Sequence, residues 1–187
     1  MRIISGTFKS KKIFEPKDSS TRPLKDLTKE SIFNIIVHSN KLKVNLKNSF
    51  VLDLFSGVGS FGIECISREA KHVTFIENYR GVLPILKKNL LSLKVDQRYQ
   101  VVEQNILDGI NLKNLINKFD IIFLDPPYKE KNLQKILDNI SNEKLLNTNG
   151  IIIIHRHKKS DDQLSKNFKV IEEKKYGISK IIFGILS

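Results

Sequence analysis

A disulfide framework is the first thing this 187-residue chain lacks: Cys65 is its single cysteine, so a reducing, intracellular compartment is expected. Long apolar runs are missing as well. The opening MRIISGTFKSKK has no apolar core of signal-peptide length, and the run GIIII is far too short to cross a bilayer. A cytoplasmic protein without membrane attachment is the expectation. No internal repeat or low-complexity tract is present, and a 40% hydrophobic content arranged in regular runs argues against disorder. Metal ligands are sparse. His155 and His157 alternate with Arg156 at a strand end, but no third N, S or O ligand stands at a suitable spacing. No metal is expected, and the pair is taken as a solvated or RNA-facing cluster.

Acidic residues are also in deficit, 20 Asp+Glu against 32 Lys+Arg, for a formal net charge of +12. The imbalance is uneven. Residues 1–50 hold 11 basic against 4 acidic side chains, residues 51–128 hold 9 of each, and residues 129–187 hold 12 against 7. A neutral centre between basic flanks suggests a small-molecule site in the middle and a polyanion gripped by the flanks. A lysine-rich surface reflecting genome composition is the competing account.

From Phe50 onward, the short apolar runs FVLDLF, HVTFIE, YQVVEQ, FDIIFLD and GIIIIH alternate with amphipathic stretches, the pattern of a parallel sheet wrapped by helices. GVLPILKKNLLSLK predicts one helix. Leu133, Ile136, Leu137 and Ile140, at i, i+3, i+4 and i+7, predict another. The tail FKVIEEKKYGISKIIFGILS contains two strands around a Gly-containing turn and no helix between them, an antiparallel hairpin on the sheet edge. Before Phe50, MRIISGTFKSKKIFEP predicts two short strands around a Gly-and-Lys turn. A Ser/Thr/Pro loop follows, then a helix over LTKESIFNIIVHS with Ile32, Ile35 and Ile36 on one side. The expected organisation is a basic extension over residues 1–49 and an α/β domain over residues 50–187.

VLDLFSGVGSFGIE is a strand, a glycine-rich turn and a helix, with Gly57, Gly59 and Gly62 at G-x-G-x-x-G spacing and Glu77 closing the next strand. That alone satisfies a dinucleotide fingerprint, so a nicotinamide-dependent oxidoreductase is a genuine competitor. Under either reading the glycines let backbone approach a nucleotide, and Glu77 can accept from ribose hydroxyls. Asp53, inside the strand before the turn, would repel a pyrophosphate and stabilise an ammonium, such as the methionine end of S-adenosylmethionine.

A second motif points the same way. The strand FDIIFL ends in Asp125-Pro126-Pro127-Tyr128. Proline cannot donate to a ladder, so the strand must stop there. An acid, a carbonyl free of helix or ladder, and a flat ring are left in the crevice where open α/β sheets bind ligands.

This stretch resembles the amino-group methyltransferases, whose motif is Asp/Asn-Pro-Pro-aromatic after the fourth strand. The resemblance implies that Asp125 and the Pro126 carbonyl hold an exocyclic amine with its lone pair localised, while Tyr128 stacks on an extruded base. The N-terminal segment narrows it. Arg2, Ile3, Ile4 and Gly6, then Arg22, Pro23, Glu30, Phe33 and Asn34, are similar to the opening of the RsmD family, which methylates the N2 amine of a guanine in 16S ribosomal RNA. The likeness spans most of the chain. It implies a Rossmann-like class I S-adenosylmethionine-dependent methyltransferase with a seven-stranded, mostly parallel sheet. It also implies a C-terminal antiparallel hairpin and an N-terminal β-hairpin and helix extension. Cofactor contacts are expected from Asp53, Phe55, Gly57, Gly59, Glu77, Asn105 and Ile106, the last two where this fold meets adenine, with S-adenosylhomocysteine as product. Lys9, Lys11 and Lys12 are expected on RNA phosphate and Arg22 near the target nucleotide. The partner is 16S ribosomal RNA within a small-subunit particle, and the protein a monomer.

Leu24 replaces the family's Thr, Lys29 its Arg, Tyr79 stands where an acid is common, and His155 where an acid closes the fifth strand. These departures are expected on the substrate side and around the ribose. Cys65, Ser56 and Ser60 are taken as packing, capping or cofactor contacts. An N6-adenine methyltransferase stays open, since the motif serves both amines. So does a non-catalytic ribosome-assembly protein. A glutamine methyltransferase fits less well, with Asp125 where Asn is usual.

Overall fold

The computed structural model describes residues 1–16, 24–108 and 118–187. Helix α1 (Asp26–His38) precedes an alternation of β1 (Phe50–Leu54), α2 (Ser60–Ser67), β2 (His72–Glu77), α3 (Leu83–Leu91) and β3 (Tyr99–Glu103). Then come β4 (Phe119–Leu124), α4 (Leu133–Asn142), β5 (Leu146–His157), β6 (Phe168–Tyr176) and β7 (Ser179–Leu186). The seven strands form one sheet in the order β3-β2-β1-β4-β5-β7-β6. Strands β1 to β5 pair in parallel, and β7 joins β5 and β6 antiparallel. This is the mostly parallel sheet with a terminal hairpin that the apolar runs predict, with β7 on its inner side.

The central strands are apolar at most positions because both faces are covered. On one face Val51, Ile121, Phe123, Ile151 and Ile153 join a core with α1, α2, α3 and the N-terminal segment. On the other, Leu52, Leu54, Ile122, Leu124, Ile152 and Ile154 meet the α4 stripe of Leu133, Ile136, Leu137 and Ile140. Strand β5 is longer than its apolar run. It starts at Leu146, across a register shift against Phe119, and reaches His157, which pairs with Ser179 of β7.

The N-terminal segment doubles back as expected, but its ladder is a single bridge, Arg2 with Lys12. The reason lies in its other partners. The Ile4 and Ser5 N–H groups donate to the Glu64 carboxylate at 2.8 and 3.0 Å, and the Thr7 N–H donates to the Ser67 carbonyl at 2.8 Å. The backbone that would extend a hairpin is spent on α2. Glu64 is fully buried, accepts from Arg68 Nε at 2.9 Å, and lies 3.7 Å from the Lys29 ammonium. Lys29 is also fully buried and donates to the Arg2 carbonyl at 2.8 Å. Burial holds its pKa below the usual lysine value, against the pull of Glu64 and Asp26. Leu24 too is core, 4% exposed. These two departures from the family pattern, expected on the substrate side and around the ribose, are buried beside the N-terminal segment.

Candidate active site

Strand β1 leads through α2 to β2 on one side, and its other neighbour, β4, leads through α4 to β5 on the opposite side. The diverging connections open a crevice beyond the carboxyl ends of β1 and β4.

In the loop after β1, Phe55, Gly57 and Gly59 take φ of 57°, 55° and 84°. For Phe55 this is a strained conformation of the kind that gathers at binding sites. A Cβ on Gly57 would meet nothing within 4 Å. That glycine faces open space, so its backbone can be approached by a ligand. A Cβ on Gly62 would lie 2.3 Å from the Phe75 ring, so the third glycine seats α2 against β2.

Glu77 closes β2 and is 8% exposed. Its Oε2 accepts the Gly57 N–H at 2.7 Å, and its Oε1 accepts the Asn78 and Tyr79 N–H groups, both at 2.8 Å. Oε1 is thus doubly occupied, and Oε2 keeps a lone pair for a hydroxyl donor. Tyr79 gives Glu77 its backbone N–H, and its side chain is exposed. Asp53 lies deeper than expected. At 1% exposure it sits beneath the loop, accepting the Gly62 N–H at 2.9 Å. Burial pushes its carboxyl well above the usual carboxylate range, the Gly62 N–H opposing, and the charges of Asp125 and Glu77 add to the rise. After β3, Asn105 turns its Oδ1 back to the Leu107 N–H at 3.1 Å. Ile106 has its side chain in the core.

At the end of β4, Asp125 is partly exposed and its Oδ1 lies 2.8 Å from His155 Nδ1. The other ring nitrogen, Nε2, lies 2.9 Å from the Ser179 hydroxyl. Pro126 is buried and Pro127 exposed. The Tyr128 ring meets the rings of His155 and His157 edge-on, at centroid distances of 6.2 and 5.2 Å.

The expectation that His155 and His157 form a solvated or RNA-facing cluster is corrected here for His155, while His157 is partly exposed. His155 and Arg156 are 5% and 2% exposed, because β7 covers this end of β5. Arg156, on the other face from His155, runs under the proline turn. Its Nη1 donates to the Pro127 carbonyl at 2.9 Å and its Nη2 to the Glu130 carbonyl at 2.8 Å. The Pro126 and Tyr128 carbonyls are more distant, at 3.5 and 3.4 Å. Asp162 takes Nε at 3.0 Å and Nη2 at 2.7 Å. The rigid guanidinium fork thus fixes the turn that carries the site. His155, Arg156 and Ser179 were missed as site residues. The available signal was polar residues ending an otherwise apolar strand beside the Asp-Pro-Pro-Tyr strand.

On the expected RNA side, Lys9 and Lys12 are exposed. The Lys11 ammonium is engaged by the Ser92 carbonyl and lies 5.9 Å from the Phe8 ring centre. Arg22 and Pro23 lie outside the described residues. Cys65 is fully buried in the core. Ser60 accepts from Lys29 at 3.3 Å, and Ser56 donates to the Ile76 carbonyl at 3.3 Å. Among the described residues no group of three or more His, Cys, Asp or Glu could hold a metal ion, and no helix is long and apolar enough to cross a membrane.

The family described as Conserved hypothetical protein 95 matches residues 1–185. Ribosomal RNA small subunit methyltransferase D of Haemophilus influenzae is 32% identical over 179 residues, covering 95% of this chain and 90% of its own length. The protein of that name from Buchnera aphidicola is 34% identical, over 92% of this chain and 86% of its own. Among solved structures, Escherichia coli yhhF has a TM-score of 0.80 at 26% identity and covers 98% of this chain and 96% of that one. SMU.776, solved in complex with S-adenosylhomocysteine, shares the fold at a TM-score of 0.63 and 15% identity, covering 85% of this chain and 50% of that one. The match takes in the N-terminal segment, the glycine loop and the proline turn alike, and the chain belongs to the RsmD family.

Proposed function

We propose that this protein transfers a methyl group from S-adenosylmethionine to the exocyclic N2 of a guanine in 16S ribosomal RNA, acting as a cytoplasmic monomer on a small-subunit particle. The observation that carries the reading is Asp125. It stands at the end of β4 with Oδ1 tied to His155 and Tyr128 beside it, one strand from the loop that Glu77 closes.

The residues of the glycine loop fit the cofactor. Gly57 leaves room where a side chain would project, and Glu77 suits ribose hydroxyls. The mutual repulsion of Asp53, Asp125 and Glu77 is relieved by a cation, as the sulfonium and ammonium of S-adenosylmethionine are. When bound, that group supplies an electrophilic methyl, the N–C bond forming as the S–C bond breaks and its electron pair stays on sulfur. The protein's own work is on the amine. An exocyclic base nitrogen is a poor nucleophile because its lone pair is delocalised into the ring. Asp125 accepts an amine N–H and favours a localised lone pair, then takes the released proton. Tyr128 stacks on the base and aims it.

Residues 1–49 form the RNA-contacting extension, with Lys9 and Lys12 on phosphate and Arg22 positioning the nucleotide. Replacing Lys9 and Lys12 by Gln should flatten the salt dependence of RNA binding by about 0.7–0.9 units of slope for each phosphate no longer neutralised.

The test is incubation of small-subunit particles or bare 16S RNA with the protein and methyl-labelled S-adenosylmethionine, then mass spectrometry of the nucleosides. Labelled N2-methylguanosine is expected. Label in N6-methyladenosine would move the reading to adenine, and label in no nucleoside would overturn it.

A further inference from the structure

His155 stands where two groups of fixed preference meet it. On its Nδ1 side is the Asp125 carboxylate at 2.8 Å, which as an anion can only accept. On its Nε2 side is the Ser179 hydroxyl at 2.9 Å, which can rotate to donate or accept. The ring is 5% exposed, so water is a poor substitute for either partner. We propose that His155 is the positioning residue for Asp125, holding the Nδ1–H tautomer so that Oδ1 is pinned and Oδ2 is left to the substrate amine. The inference rests on the methyltransferase reading above.

Its logic inverts that of a hydrolase triad. Here the carboxylate is the acting group, the imidazole orients it, and the serine hydroxyl fixes the tautomer by donating to Nε2. As the amine N–H bond breaks, its proton is taken at Oδ2 while the Nδ1–H bond to Oδ1 stays in place.

The other polar and charged groups around the ring fit this role. Tyr128 and His157 meet it or one another through ring edges. Arg156 faces away, into the proline turn. Lys180 of β7 is engaged by the Ser160 carbonyl at 2.6 Å. Asp53 lies close enough to Asp125 for their charges to interact.

The test uses His155→Asn, His155→Gln and His155→Leu in the full chain. An Asn side-chain N–H lies where Nδ1 stood, so His155→Asn should keep turnover within a few-fold of wild type. Gln places its amide nearer Nε2, and Leu offers no donor. Both should lower turnover about 10–100-fold, the usual cost of losing an orienting partner, with S-adenosylhomocysteine affinity unchanged. Equal turnover in all three would overturn the proposal. Nitrogen-15 NMR of histidine-labelled wild type decides it without activity: the Nδ1–H tautomer supports it and the Nε2–H tautomer overturns it. A wild type that methylates no guanine would sink the functional reading alone, leaving the NMR result to judge His155.

Discussion

Glu77 and Asp125 are both acids closing parallel strands, on either side of β1, yet they are held by different means. Glu77 is held by backbone, through the N–H groups of Gly57, Asn78 and Tyr79. Asp125 is held by a side chain, His155 of the neighbouring strand, and the turn behind it by another, Arg156. A backbone-held carboxylate is locked by the loop that creates it and suits a binding task. A carboxylate held at one oxygen keeps the other available, which suits a group that must exchange a proton. Substitution can strike either half of this contrast separately.

The largest effect is expected at the side-chain-held acid. Asp125→Ala should cut turnover by about 10²–10⁴-fold, the range for a lost acid–base group, and leave S-adenosylhomocysteine affinity close to wild type. Single-turnover methylation beside calorimetry separates the two, and a matched loss of affinity would erase the distinction between the strand ends. Arg156→Leu follows. It leaves Asp162, whose side chain is 8% exposed, and the Pro127 and Glu130 carbonyls without their donor. A loss of about 3–5 kcal/mol in denaturant unfolding is expected, the usual range for breaking a buried ion pair from one side. A loss under about 1 kcal/mol, within the range of exposed pairs, would mean the turn holds without it.

Glu77→Ala should act on binding instead. It should weaken S-adenosylhomocysteine by about 1–3 kcal/mol, the range for unpaired polar partners, read by calorimetry. An unchanged affinity would remove Glu77 from the cofactor site.

These two halves were unequally legible in the sequence. The glycine loop and Glu77 form one local unit, strand, turn and strand, so the glycine spacing and the acid at the next strand end announced it. The α4 stripe and the five parallel strands were visible for the same reason, as a repeating apolar period. Asp-Pro-Pro-Tyr was visible as a stop signal, but its support was not. His155 lies 30 residues after Asp125 and Ser179 comes from the terminal hairpin, so the contacts exist only once β5 is flanked by β4 and β7. Without the strand order, His155, Arg156 and His157 look like a polar strand end in water. Lys29 misled in the opposite direction, being expected with the other departures on the substrate side and around the ribose, and only the burial of Glu64 makes it an anchor.

The smallest effect concerns Asp53. Its folded pKa is raised, chiefly by burial, so it holds its proton more tightly folded than unfolded. Its contribution to stability is complete below the unfolded carboxylate pKa and is lost as pH rises through the folded one. Asp53→Asn keeps an acceptor for the Gly62 N–H and removes that titration. Thermal melts of the unliganded proteins across pH should therefore show wild type losing stability relative to the variant as pH rises. Parallel curves would show that Asp53 ionises there without penalty.

Whether this protein methylates a guanine through Asp125 is tested most directly by mass-mapping the small-subunit ribosomal RNA of cells that lack it. One methyl group is expected to disappear from a guanine, to return when the wild-type chain is restored, and to stay missing with Asp125→Ala. An unchanged methyl map, or restoration by the Asp125→Ala chain, would contradict that assignment.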